Sequence, residues 1–228
     1  MTDARNFDFD PIYRGEVTEF GEGRPGWSLD KPQPEITALI DAGAVVGEVL
    51  DAGCGEAALS LELAARGYRT VGIDLSSTAI DLAISQAHAR GLTTAQFAVA
   101  DITTLHGYDG RFDTIVDSAL FHSMPISRRE GYVASMARAA APGARFYVLA
   151  FDRSAMPDAP RDSVAPVSAD ELAETVAQSW AIDDVRPARH HCRLPETLPA
   201  HFASIDFRDE PDGLKSVAAW LLSAHRPR

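Results

Sequence analysis

Short apolar runs recur along the chain, most closing on a polar or acidic residue. They are Glu48 to Asp51, Arg69 to Asp74, Ala95 to Ala100 before Asp101, Phe112 to Val116, and Gly143 to Phe151. Their length and their β-branched and aromatic content predict strands. Between them, apolar residues fall at helical spacing. Ile36, Leu39 and Ile40 follow Pro34 and stop at Gly43, and Ala57 to Arg66 stops at Gly67. Ser76 or Ser77 opens a helix running to about Arg90, and Ser127 opens another reaching Ala140. Ser at a start and Gly at a stop are helix-boundary signals. Strands alternating with helices in this way imply right-handed crossovers and a mostly parallel sheet.

The two ends break that rhythm. Residues 1–31 are irregular and Gly-rich, with aromatics at Phe7, Phe9, Tyr13, Phe20 and Trp27. Such an arm either packs on the domain's own surface or forms a lid over a pocket. After a Pro- and Asp-rich stretch from Arg153 to Pro166, Ser168 caps a further helix. Ile182 to His191 and Val217 to His225 then read as two strands with no crossover helix between them. A hairpin-like pair added to the parallel sheet is expected. The chain shows no internal repeat, low-complexity segment or second domain.

Composition narrows the function. A chain of 228 residues with 46% hydrophobic content suits one folded domain. Lys+Arg is 21 and Asp+Glu is 33, a formal net charge of −12. That balance opposes nucleic acid and anionic lipid as partners. No apolar run approaches the ~20 residues that span a bilayer, and MTDARNFDFD has no apolar segment of a secretory signal, so a cytoplasmic protein is expected. Lys31 and Lys215 are the only lysines; richness in Ala and Arg points to a GC-rich bacterial source. Cys54 and Cys192 make no disulfide framework. Cys192 follows His190 and His191, which invites a zinc reading beside the plainer one of a surface or strand-end histidine pair. A second ligand pair at structural-site spacing is missing, and no metal is expected.

The densest chemistry lies at the first strand–helix turn. Asp51 closes the strand, and Gly53-Cys54-Gly55 lets the backbone bend tightly and approach a ligand. The N–H groups opening the next helix suit a carboxylate or phosphate. Asp74 ends the second strand roughly twenty residues on, where a carboxylate can accept both hydroxyls of a ribose. Asp101 follows the third strand, beside the place an adenine would lie. All three stand at carboxyl ends of neighbouring strands, the crevice where open α/β sheets bind ligands.

With VLDAGCG (Val49 to Gly55), VGIDLS (Val71 to Ser76), FAVADI (Phe97 to Ile102) and FDTIVDSALFHSM (Phe112 to Met124), the chain resembles class I S-adenosylmethionine (SAM)-dependent methyltransferases. The resemblance covers at least Glu48 to Phe151. It implies an α/β, Rossmann-like doubly wound fold with a seven-stranded sheet, mostly parallel with an antiparallel C-terminal edge strand, and helices on both faces. One domain would span 1–228: an arm or lid over 1–31, the cofactor core over 32–151, and a substrate-side helix with the strand pair over 152–228. SAM would be the cofactor, S-adenosylhomocysteine its product, with no metal. Gly53, Cys54 and Gly55 would lie along the cofactor's amino-acid part, with Asp51 orienting that loop and the amino end. Asp74, flanked by Leu75 and Ser76, would bind the ribose; Asp101 would meet the adenine amino group, with Ile102 against the ring. Asp117 and Trp27 complete the expected cofactor set. Family members commonly read Gly-Cys-Gly-Thr-Gly, whereas this chain has Glu56 and Ala57; alanine is expected to sit there with helical dihedrals.

Methyl transfer from a sulfonium is an in-line displacement that needs alignment, exclusion of water and sometimes removal of a proton. The loop after the fourth strand carries Phe121 and Met124 as an apolar acceptor wall. His122 is the best-placed titratable group for accepting a proton near neutral pH, or else merely caps the strand or packs under the lid. His190 and His191 are the alternative bases. GWSLDKPQPEI (Gly26 to Ile36) is similar to the arm of small-molecule methyltransferases acting on thiols, thiopurines, quinols and related heterocycles. In these an aromatic covers cofactor and acceptor together, which points to Trp27 and Phe20. The expected acceptor is small, flat, aromatic or heterocyclic and largely uncharged, methylated on O or N ahead of S, by a monomer or weak homodimer. Two other readings stand: a SAM-binding regulatory or scaffolding subunit, motivated by Glu56 and Ala57, and a NAD-dependent oxidoreductase, whose pyrophosphate would sit badly beside Asp51.

Overall fold

A computed structural model describes residues 8–17, 24–157, 164–194 and 204–228. The strands are β1 (Glu48–Ala52), β2 (Arg69–Asp74), β3 (Ala95–Val99), β4 (Phe112–Ser118), β5 (Ala140–Phe151), β6 (Ala181–Cys192), β7 (Arg208–Asp209) and β8 (Lys215–His225). They form one sheet in the order β3-β2-β1-β4-β5-β8-β6, with the two-residue β7 added beside β8. β1 to β5 pair in parallel, and β8 runs antiparallel to both β5 and β6. The terminal pair is therefore antiparallel, and β8 is threaded inside it, so that β6 forms the outer margin.

The helices are α1 (Asp10–Tyr13), α2 (Pro34–Asp41), α3 (Ala58–Ala65), α4 (Ser77–Ala89), α5 (Arg129–Ala139) and α6 (Ala169–Val176). Pro34 opens α2, and the Ser76 hydroxyl caps α4 by accepting from Ala79 N–H. Ser168 and Glu171 form a reciprocal capping box on α6. Ser127 caps nothing: the chain enters α5 through a three-ten turn, Ile126–Arg128, without a side-chain cap.

Side-chain alternation along the strands builds a core on each face. Leu50 and Ala52 of β1, with Phe146 and Val148 of β5, meet Tyr132, Val133 and Met136 of α5 and Leu172 of α6. Val49, Tyr147 and Leu149 point the other way, onto Ile36 and Ile40 of α2 and Leu59 and Leu63 of α3. Cutting a fully buried leucine such as Leu50 to alanine costs about 2–5 kcal/mol. With β1, β2 and β4 largely covered, the acids Asp51 and Asp74 stand at the carboxyl ends of their strands.

Candidate active site

A cavity of about 460 Å³ opens at those ends, where the strand order reverses between β1 and β4. Asp51, Gly53, Cys54, Gly55, Asp74, Leu75, Ser76, Asp101 and Ile102 all line it. Gly53 and Gly55 hold φ of +69° and +53°, which favour glycine. A Cβ on Gly53 would stand 2.8 Å from Leu120 Cβ. Cys54 turns its sulfur onto Gly72 and the Phe97 ring, and burial pushes its thiol pKa up.

Each carboxylate is held differently. One oxygen of Asp51 accepts from the Ser60 N–H at 3.1 Å and its hydroxyl at 2.8 Å, and burial pushes the pKa up to about 6. Asp74 accepts from Gly55 N–H at 2.8 Å on one oxygen and Ser76 N–H at 2.9 Å on the other. Burial raises its pKa. Asp101 is less buried; burial is outweighed by Thr103 and by Arg128 at 2.5 Å, which hold its carboxyl below the usual range. Leu75, 50% exposed, stands at the rim.

The arm is part of this wall. Asp10 accepts from the Ser76 hydroxyl and Thr78 N–H, fastening α1 to the start of α4. Tyr13 is half-buried with its hydroxyl over the glycine turn, where a Cβ on Gly55 would approach it to 2.6 Å. Trp27 lines the cavity and donates its indole N–H to Tyr13 at 3.2 Å. Arg24 bridges to Glu56, the residue that departs from the common motif, and to Asp30. Farther on, Gln33 exchanges two hydrogen bonds with the His191 backbone, and Arg193 N–H donates to Gly26. Phe20 lies outside the described residues.

The far wall comes from β5, β6 and the turn after β4. His122 is 2% exposed and stacks on Phe151 with ring centroids 3.8 Å apart. His190 meets both rings edge-on, at 6.4 Å from His122 and 4.9 Å from Phe151. Met124, Met156, Val164 and Cys192 line the same cavity. Burial drives the His122 pKa well below its ordinary value and that of His190 to about 3, so both rings are neutral.

Known proteins agree with this geometry. A methyltransferase-domain family model matches residues 49–143. A 2-heptyl-1-hydroxyquinolin-4(1H)-one methyltransferase of Mycobacteroides abscessus is 51% identical over 229 residues, covering 99% of this chain and all of that one. The chain belongs to the class I SAM-dependent methyltransferases. Among solved structures, one from a study of disulfide conversion into a thioacetal in echinomycin biosynthesis is 36% identical. It has a TM-score of 0.78 and covers 96% of this chain and 91% of that one. The 1,6-didemethyltoxoflavin-N1-methyltransferase of Burkholderia thailandensis, solved with S-adenosylhomocysteine, shares the fold at TM-score 0.62 and 19% identity over 86% of this chain and 77% of that one. Membership sets aside the dinucleotide and binding-only readings: this methyltransferase is an enzyme and uses SAM.

Several sequence expectations for the methyltransferase change. Ala57 is not helical; it opens α3 at φ +64°, ψ +34°. A left-handed alanine costs about 1–2 kcal/mol, so the missing glycine is tolerated through strain. Phe121 does not reach the cavity: its fully buried ring packs on Tyr132 and under the Arg129 guanidinium. Asp117 also turns away. Its carboxylate accepts from the N–H groups of Leu120 and Phe121 and from the Tyr132 hydroxyl, shaping the loop from beneath. His190, His191 and Cys192 alternate along β6, so three convergent ligands cannot form; no metal-holding cluster exists among the described residues. The sequence reading missed Asp10, Tyr13, Arg24, Phe151 and Met156 as cavity residues. Only Tyr13 carried a signal, as one of the arm's aromatics. No helix among the described residues is long and apolar enough to cross a membrane.

Proposed function

We propose that this enzyme methylates a ring-borne hydroxyl of a flat heteroaromatic molecule with an apolar substituent. The far wall carries the reading: His122, Phe151, His190, Met124 and Met156 offer flat and apolar surface with no charge at neutral pH. That chemistry matches the hydroxyquinolone in the name of the 51%-identical relative. The cofactor end fits SAM as well. Asp51 keeps one carboxylate oxygen clear of Ser60, and the Asp74 oxygens keep acceptor capacity beyond their backbone N–H bonds.

Bound SAM supplies an electrophilic methyl on a cationic sulfur. The flat wall of His122, Phe151 and His190 would align the acceptor oxygen with that methyl, the hydroxyl proton going to solvent. Asp51 would receive the cofactor amino group, Gly53 and Gly55 would leave room for its amino-acid chain, and Asp74 would take the ribose. Asp101 would meet the adenine edge, with Ile102 and Leu75 beside the ring. Trp27 and Tyr13, carried by the arm over 1–31, close the cavity and exclude water, a contribution to alignment and desolvation rather than to bond-making. The whole chain acts as one catalytic domain, cytoplasmic, a monomer or weak homodimer, with no nucleic-acid partner.

Incubation with SAM and 2-heptyl-1-hydroxyquinolin-4(1H)-one should yield a product one methyl heavier by mass spectrometry. The same quinolone lacking the N-hydroxyl should not react. Calorimetric SAM binding without transfer to any hydroxylated heterocycle would overturn the acceptor reading. A sulfur acceptor is the second reading, favoured by the 36%-identical structure from the thioacetal study; thiols belong in the same panel.

A further inference from the structure

We propose that His122 is a fixed hydrogen-bond donor that selects acceptors already ionised at the reacting oxygen, and that it is not a base. The inference rests on the hydroxyl-acceptor reading above and assigns the atom that recognises that oxygen.

The Phe151 N–H donates to Nδ1 of His122 at 3.1 Å, so Nδ1 must be an unprotonated acceptor. A neutral imidazole with a bare Nδ1 carries its proton on Nε2. Nε2 makes no hydrogen bond to a described residue, and the ring lines the cavity. What the ring offers a ligand is therefore an N–H. To act as a base the ring would have to take a second proton at Nδ1, the nitrogen committed to Phe151, or first lose the proton already on Nε2.

The surroundings hold that state. Phe151 of β5 stacks against the ring and fixes its plane. The titratable groups acting on it are His190 of β6 and Arg129 of α5, both of which oppose a positive charge on the ring. Arg129 is itself set against Glu171 and Asp117, and its guanidinium donates to the Ala165 carbonyl. Burial adds to the same direction. No carboxylate hydrogen-bonds to His122, so the usual device for stabilising an imidazolium is missing among the described residues.

A donor at this place favours an oxyanion over a neutral hydroxyl, because a charge-assisted hydrogen bond is roughly twice as strong as a neutral one. The acceptor's proton is then lost to solvent before binding. An N-hydroxyl conjugated to a ring carbonyl spreads its negative charge and ionises readily, whereas a simple alcohol does not. Specificity for acidic ring hydroxyls follows from the donor.

The test uses the full chain with SAM and 2-heptyl-1-hydroxyquinolin-4(1H)-one. The acid limb of kcat/KM against pH should have its midpoint at the acceptor's own ionisation constant, and should move when a ring-halogenated, more acidic analogue replaces it. His122→Leu should raise the acceptor KM about ten- to a hundredfold, with SAM affinity within about twofold. His122→Gln, which restores an N–H, should recover most of the loss, and no variant should move the midpoint. A midpoint that ignores acceptor acidity would overturn the donor role. So would a fall in kcat at unchanged KM that added imidazole rescues. Absence of turnover by the wild type would instead count against the acceptor reading. The histidine is then still decided by nitrogen-15 NMR of the enzyme without acceptor: a protonated Nε2 with bare Nδ1 supports the assignment, and an Nδ1–H or cationic ring refutes it.

Discussion

The two halves of the cavity are built on different physical plans. At the proposed cofactor end, Asp51 and Asp74 stand at the tips of parallel strands, Asp51 held by Ser60 of α3 and Asp74 by the N–H groups of Gly55 and Ser76. At the acceptor end, Phe151 and His190 come from β5 and β6, on either side of the antiparallel β8, and His122 and His190 are held neutral by burial. The Asp117 carboxylate, under the acceptor loop, is turned inward as scaffolding. A cofactor common to a family can be bound by a repeated local device. An acceptor particular to one enzyme is bound by surfaces that the family does not share. The arm and the residues just after it join the halves: Tyr13 stands over the glycine turn, Gly26 accepts from Arg193 just past β6, and Gln33 pairs with His191 of β6.

This contrast can be broken at several points. The largest effect concerns Asp117, whose burial pushes its pKa up to about 7 from an ordinary 3.8. Between about pH 4 and 7 the unfolded chain loses that proton while the folded chain keeps it, so stability falls as pH rises. Asp117→Asn removes the titration. Wild-type stability relative to the variant should therefore decline across that window by up to about 1.4 kcal/mol per pH unit, measured by denaturant unfolding at several pH values. Equal slopes would mean Asp117 is solvated.

Asp74→Ala tests the division of labour itself. Calorimetry with S-adenosylhomocysteine should show a loss of about a hundredfold or more, from two hydrogen bonds to a charged group at about 1.5–3 kcal/mol each. Phe151→Ala should leave that affinity within about threefold and raise only the acceptor KM. Similar losses in both variants would erase the distinction between the halves.

Gly55→Ala probes the arm. It places a side chain at φ +53° and a Cβ 2.6 Å from the Tyr13 hydroxyl. The strain should cost about 1–2 kcal/mol, a drop of several degrees in Tm, with Trp27 fluorescence changing as the arm shifts. Smallest is Arg24→Ala. Its bridges to Glu56 and Asp30 are partly exposed and are worth about 0–1 kcal/mol. Tm should barely move, while the KM for SAM rises about threefold if the bridge helps close the arm.

The parallel core and the acids at its carboxyl edge follow from local pattern alone. Asp51, Gly53, Gly55, Asp74 and Asp101 were legible because each owes its place to a strand end and the few residues after it. Local spacing is enough when a device is local. Tertiary structure alone decided the rest. Phe121 reads as acceptor wall and Asp117 as a cofactor contact, yet both face the core: Asp117 is held inside β4 by Tyr132, and the three-ten turn Phe121–Ser123 sends Phe121 inward and His122 to the cavity. Ala57 looks helical in sequence and is left-handed in the fold, because the turn needs that conformation whatever residue supplies it. His122 carries the lesson furthest. Its residue type marked it as a candidate base, but the Phe151 N–H, contributed by a strand 29 positions away, fixes its tautomer. Which nitrogen bears a proton is set by the partner across space, and no pattern along the chain records that partner.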